Sequence, residues 1–297
     1  HIYSQLQAFS KDNQYVLLSE DGNYIVRRVD TLAQANDGDL SNINAPRWQP
    51  AVPHTLVHYD GNDDNTLRVQ YTNVDTGRTE TVFTFPSNYV RIRGNQSFDE
   101  VSEDGKWMTG MAATVNGDQI IFSLNLETRT LAAQVSINSL YNSACARDPQ
   151  YGIVEPDWIG VSPLGKYIVV QWVRDALTRC SGLETWNIQT GQYVGHLYNG
   201  HDHGDLGVEK DGREFFMTFG NAHPSDTGRP GQVLYYLPGP ASGAATAQYL
   251  SVMDWGTQHH ISCQGPHGVC VVTAYQNFDG SPWSPMEEEV FLQYTDG

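Results

Sequence analysis

The sequence predicts an all-β fold, a β-propeller of four-stranded antiparallel blades, with six blades legible in 297 residues. Two observations carry this expectation. A strand–turn–strand unit with an Asp-Gly-like turn recurs six times, and most copies are followed by two further strand-length segments. Gly (28) and Tyr (16) are abundant, Asn-Gly, Asp-Gly and Thr-Gly pairs punctuate the chain, and apolar stripes of helical period are nearly absent. Four strands per repeat is the pattern of a propeller blade, whose sheet buries both faces against its neighbours around a central channel. A β-sandwich would not generate six similar units.

In chain order, the first copies read A-F-S-K-D-N-Q-Y-V-L-L from Ala8, R-W-Q-P-A-V-P-H-T-L-V from Arg47 and D-E-V-S-E-D-G-K-W-M-T from Asp99. The later copies read I-G-V-S-P-L-G-K-Y-I-V from Ile159, L-G-V-E-K-D-G-R-E-F-F from Leu206 and I-S-C-Q-G-P-H-G-V-C-V from Ile261. Taking Asn13, Pro53, Gly105, Gly165, Gly212 and Gly268 as equivalent turn positions, successive copies stand 40 to 60 residues apart. Third strands follow at Leu67 to Gly77, Ile120 to Thr128 and Leu183 to Gly191, and fourth strands at Thr79 to Phe85, Leu131 to Ile137 and Tyr193 to Tyr198. The chain 1–297 therefore reads as one propeller domain. Its last unit ends on E-E-E-V-F-L-Q-Y-T-D-G from Glu287, a third strand without a fourth. Because an open blade exposes a sheet edge, closure falls to the N-terminal I-Y-S-Q-L, to a seventh blade, or to another molecule.

Composition narrows the partners. Acidic side chains outnumber basic ones 34 to 17, a formal charge of −17 spread along the chain, which argues against a nucleic-acid partner. No run approaches eighteen apolar residues, so no membrane span is expected. The sequence opens at His1 without Met or an apolar leader, which fits either a removed signal peptide or a start inside a longer chain. Four cysteines allow three pairings. Cys263 and Cys270 flank a hairpin turn and can lie opposite each other across two strands, leaving Cys145 to pair with Cys180. Disulfides imply an oxidising, secreted or periplasmic setting.

The histidines concentrate the chemistry. In a propeller the first strand of each blade lines the channel, so residues at one offset from equivalent turns form a ring. Nine positions before the turn stand Gln96, His203 and His259, the last two on neighbouring blades five and six. His201, Asp205 and His260 lie beside them, with Glu155 and Asp157 expected at the mouth of blade four, Arg47 at that of blade two and His1 at that of blade one. Imidazoles and carboxylates converging in a polar mouth suit a divalent cation such as zinc or manganese, or an acid/base pair acting on a ligand. The structural alternative is that these groups tie one blade to the next. The loop Asp60 to Asn65 carries alternating oxygen donors that suit calcium or an ordinary acidic turn. No nucleophile elbow, P-loop or dinucleotide fingerprint occurs.

The turns S-E-D-G-K-W from Ser102 and S-P-L-G-K-Y from Ser162 resemble those of the TolB-like propellers. The leading H-I-Y-S-Q-L-Q-A-F-S, the later H-G-D-L-G from His203 and H-H-I-S-C from His259 resemble the oligogalacturonate-lyase type of propeller polysaccharide lyase. That resemblance implies a channel-mouth divalent metal (Mn, Zn or Ca) and β-elimination of uronate-containing polymers. Carried onto this chain, it implies metal ligands among His201, His203, His259, His260 and Asp205, and catalytic roles for His203, His259 and, by position, Arg47. The His-rich final blade of that family has no counterpart here. The second reading is non-enzymatic: a secreted binding or structural propeller for polysaccharide or another extracellular ligand, able to self-assemble through its open ends.

Overall fold

A computed structural model describes residues 7–20, 23–35, 40, 43–60, 66–92, 101–200, 203–223, 226–243, 245–252, 257–277 and 289–295. Its strands form six antiparallel sheets arranged as the blades of a β-propeller. The first holds β1 (Tyr15–Glu20) and β2 (Asn23–Arg28), flanked by single bridges from Phe9 to Val16 and from Arg27 to Gln34. The second holds β3 (Ile43–Trp48), β4 (Thr55–Asp60), β5 (Arg68–Asn73) and β6 (Arg78–Thr84). The third holds β7 (Tyr89–Ile92), β8 (Trp107–Thr114), β9 (Gln119–Asn125) and β10 (Thr130–Ser136). Blade four is β11 (Pro156–Val161), β12 (Tyr167–Trp172), β13 (Leu183–Asn187) and β14 (Tyr193–Tyr198). Blade five is β15 (Gly204–Val208), β16 (Glu214–His223), β17 (Asp226–Tyr236) and β18 (Gln248–Val252). Among the described residues blade six has three strands, β19 (Thr257–Ser262), β20 (Val269–Asn277) and β21 (Val290–Tyr294).

Burial follows position most clearly in blade two, from the buried β4 to the exposed β6. The inner strand β15 is buried throughout and β12 nearly so, whereas the outer β6 and β10 are mostly exposed or half-buried. Among the described residues the core divides into five apolar clusters, each filling the seam between two consecutive blades. Trp158 and Leu197 of blade four meet Leu206 and Phe216 of blade five, and Phe215 and Met217 of blade five meet Ile261 and Val272 of blade six. This seam-by-seam core separates a propeller from a two-layer sandwich. Close approach is built in: a Cβ at Gly207 would lie 2.4 Å from the Phe215 ring and 2.9 Å from the Cys263 side chain. Between blades six and one, the Gln7 side chain donates to the Gln264 carbonyl at 2.7 Å.

The hairpins between first and second strands explain the repeat. Ser10, Ser102 and Ser162 each accept an N–H with the side-chain oxygen, from Tyr15, Trp107 and Tyr167, at 3.0 Å. Asn13, Gly105, Gly165, Gly212 and Gly268 all take left-handed backbone conformations there. In blade two the left-handed residue is His54 (φ 49°) and not Pro53, whose ring fixes φ negative. A helix the sequence did not announce, α1 (Ile137–Ser143), joins blades three and four. Ser136 caps it by accepting from the Ser139 N–H, and Ile137 and Tyr141 bury its inner side.

Candidate functional site at the channel mouth

Each inner strand runs from the channel mouth to its hairpin turn, so the channel has a mouth end and a turn end. His203 stands at the mouth, immediately before β15, with its carbonyl held by the Thr218 hydroxyl at 2.7 Å. Across the seam in β19 lies His260, half-buried, and the two rings meet edge to face with centroids 5.2 Å apart. Burial, followed by the neighbouring His203, holds the His260 pKa below the usual histidine value. Its imidazole is therefore kept in the neutral form that binds metals and accepts protons. The backbone of β19 carries a bulge between Thr257 and His259, which resets side-chain alternation just before the histidine pair. His201 and the side chain of His259 lie outside the described residues.

Other expected members fall elsewhere. Asp205 is fully buried, with Oδ1 accepting from the Leu206 N–H at 2.9 Å and Oδ2 from the Cys263 N–H at 2.6 Å. It is a tie between blades five and six and offers no solvent-facing oxygen to an ion. Glu155 accepts a short hydrogen bond from the Gln119 amide of blade three, while Asp157 is exposed. Asp60, at the start of the acidic loop, is buried and pairs with Arg68 at 2.7 Å; Gly61 to Asn65 lie outside the described residues. Arg47 is corrected in position. It sits next to the turn-side end of β3, opposite Val57, so it lies four residues deeper than a mouth residue, about 13 Å along the strand.

Among the described residues no three His, Cys, Asp or Glu side chains gather as a complete metal-binding set. The His203 and His260 rings, with centroids 5.2 Å apart, carry two imidazole donors, half of what a tetrahedral site needs. A divalent metal fits the donor chemistry of this pair and requires ligands beyond it.

Two clusters that sequence reading missed are structural. Glu184, fully buried in β13, accepts from the Trp172 and Trp186 indoles at 3.0 and 3.2 Å, from Arg179 at 2.9 Å and from the Cys180 N–H at 3.0 Å. It pins the mouth-side loop that carries the Cys145–Cys180 disulfide; a lone acid inside L-E-T-W was the available signal. At the turn end, His54 donates to Asp12 at 2.8 Å and to Asp75 at 2.6 Å, and Tyr15 donates its hydroxyl to Asp75 at 2.5 Å. The two carboxylates, Asp12 first, raise the His54 pKa, and His54 with Ser10 brings Asp12 down to about 2. The second disulfide, Cys263–Cys270, staples the blade-six hairpin with Cα atoms 4.2 Å apart. Both pairings agree with the sequence expectation.

No protein-family model and no curated protein sequence matches the chain. Solved structures do. An oligogalacturonate lyase from Vibrio parahaemolyticus is 10% identical and superposes with a TM-score of 0.61, over 99% of this chain and 75% of that one. An oligogalacturonate lyase in complex with manganese gives 11% identity and a TM-score of 0.59, over 99% of this chain and 74% of that one. TolB from Acinetobacter baumannii is 16% identical, with a TM-score of 0.44 over 93% of this chain and 64% of that one. The chain thus has a β-propeller fold similar to that of oligogalacturonate lyase.

Proposed function

We propose that the chain, as one propeller domain, acts on uronate-containing polysaccharide by β-elimination at the channel mouth, in a secreted or periplasmic setting. The observation that carries the reading is the His203 and His260 pair, two converging imidazoles of which one is held neutral. Support comes from the propeller's similarity to an oligogalacturonate lyase, one example of which binds manganese. The two disulfides suit an oxidising compartment, and no described helix is long and apolar enough to cross a membrane.

In this reading His203 and His260, with His201 and His259, hold a divalent cation, manganese, zinc or calcium. The cation would neutralise the charge that grows on a uronate carboxylate when the neighbouring C–H proton leaves. An imidazole of the four that is not itself bound to the cation would accept that proton. Asp205 keeps blades five and six in register and Arg47 takes no part, because it lies toward the other end of the channel. The test is metal content together with ultraviolet absorbance of the unsaturated product on polygalacturonate. His203→Ala and His260→Ala should each lower stoichiometric metal and abolish product formation. Full metal content in both variants overturns the reading.

A second reading, a binding propeller that self-assembles, draws on one observation: Val290, Leu292 and Tyr294 of β21 are 65, 58 and 53% exposed on the outer strand of blade six. A concentration-dependent change in sedimentation would favour it.

A further inference from the structure

We propose that Asn116 is a self-modifying site, at which the Gly117 backbone nitrogen converts the side-chain amide into an aspartyl or isoaspartyl carboxylate. The sequence holds two Asn-Gly pairs, Asn116–Gly117 and Asn199–Gly200. In such a pair no Cβ shields the glycine nitrogen. That nitrogen attacks the asparagine Cγ, the bond from Cγ to the amide nitrogen breaks, and the glycine N–H proton leaves with it as ammonia. The product is a five-membered succinimide, which water opens at either carbonyl. One opening leaves aspartate; the other leaves isoaspartate, with the main chain routed through the former side chain. Water is the only co-reactant.

The fold separates the two pairs. Asn116 and Gly117 form the exposed tip of the β8–β9 hairpin, at the end of β8 far from its Gly105 turn and so on the mouth side of blade three. A Cβ at Gly117 would meet nothing within 4 Å, and among the described residues the Asn116 side chain has no hydrogen-bond partner. One bond holds the nucleophile, from the Gly117 N–H to the Thr114 carbonyl at 3.0 Å, and an exposed turn opens at small cost. Gly200 is buried, and a Cβ on it would lie 2.6 Å from the Tyr198 hydroxyl oxygen. Two Asp-Gly turns show what an engaged side chain looks like. Asp104 accepts from the Ser102 hydroxyl at 2.6 Å and the Lys106 N–H at 3.0 Å, and Asp211 from the Arg213 N–H at 3.0 Å and its guanidinium at 2.7 Å. Their glycine N–H groups are held as that of Gly117 is, by the Ser102 and Glu209 carbonyls. A hydrogen-bonded carboxylate is a poorer electrophile than a free amide, so Asn116 stands apart.

The product acts on the joint between blades three and four. Two residues on, Asp118 accepts from the Gln119 N–H at 2.8 Å, the Ser136 hydroxyl at 2.5 Å and the Asn138 N–H at 3.2 Å, and so holds the start of α1. Its carbonyl accepts from the Thr114 N–H at 2.9 Å and the Thr114 hydroxyl at 3.1 Å. An isoaspartyl link lengthens the main chain between these bonds, and either product sets a new carboxylate beside Asp118. The test is ageing of the full folded chain in mildly alkaline buffer, then peptide mapping by mass spectrometry with enzymatic methylation of isoaspartate. Asn116 should convert about tenfold or more faster than Asn199 in the folded chain, and at a comparable rate in denaturant. Asn116→Gln should abolish the new species and Asn199→Gln should leave it. Amides of α1 should exchange faster in the isoaspartyl form than in unaged chain. Equal rates for the two pairs in the folded chain, or an Asn116 that stays intact while the unfolded chain converts, would overturn the proposal, and unchanged exchange in α1 would overturn the effect on the joint.

Discussion

The two ends of the channel use histidine in opposite ways. At the mouth, His260 faces another imidazole and is half-buried, so its pKa falls. At the turn end, His54 lies between two carboxylates and its pKa rises. One side chain type is biased toward the neutral form in the first place and toward the protonated form in the second, and the surroundings decide which. The comparison teaches that a histidine count is not a site: the two carboxylate partners of His54 make it a clamp between blades one and two.

Each end also has its disulfide, and the largest expected effect comes from removing them in turn. Cys145–Cys180 at the mouth closes 35 residues and Cys263–Cys270 at the turn end closes 7. Loop-closure entropy gives about 4 kcal/mol for the first and about 2 kcal/mol for the second. Denaturant unfolding of the Cys145→Ala/Cys180→Ala and Cys263→Ala/Cys270→Ala variants should follow that order, and the reverse order would show that the turn end depends more on its staple.

A smaller effect is expected from His54→Gln, about 1 kcal/mol near pH 6. Because the folded pKa of His54 is raised, its contribution is complete below the ordinary histidine value of about 6.5 and is lost as pH rises through the folded value. Asp12, held at about 2, contributes above its ordinary 3.8 and loses that contribution as pH falls through about 2. The clamp is therefore strongest between these limits, and His54→Gln should flatten the stability profile on the alkaline side. A variant with an unchanged profile would erase the contrast between the two ends.

The smallest effect sharpens the mouth. His203→Ala removes the lesser of the two causes that depress His260, so the His260 pKa should rise only slightly in a proton NMR titration. A larger rise would mean that charge, and not burial, governs the pair.

The blades were legible because their turns are local chemistry. A serine that accepts the N–H of an aromatic five residues on, and a left-handed Gly or Asn between them, announce themselves without tertiary information. Blade two was read four residues short for a physical reason. β3 begins at Ile43 and takes in Pro46 at a bulge between Asn44 and Arg47, with Ala45 at φ 51°. That displaced Arg47 to the wrong end of the channel. Counting back from turns found His203 and its seam, where His260 meets it, while the side chain of His259 lies outside the described residues. Hairpin lengths differ between blades: in blade five Glu209 N–H reaches the carbonyl of Arg213, while in blade four Ser162 N–H reaches that of Tyr167, so offsets counted through unequal turns can drift by a residue. The His54 network spans two blades, so no local pattern contained it, whereas the Glu184 network lies within blade four and its signal was a lone acid in L-E-T-W.

The division of the core into separate seams bears on how such a chain can diverge. Each seam is a packing problem shared by two blades, so a substitution in the cluster around Trp158 and Phe216 has to be accommodated by blades four and five, while the cluster around Tyr59 and Phe122 need not register it. Replacements can therefore accumulate seam by seam, with no global repacking at any step. A ring built this way can share its architecture with another ring at 10% identity, as it does here: what the two have in common is the geometry of neighbouring pairs, and the residues that satisfy it are free to differ.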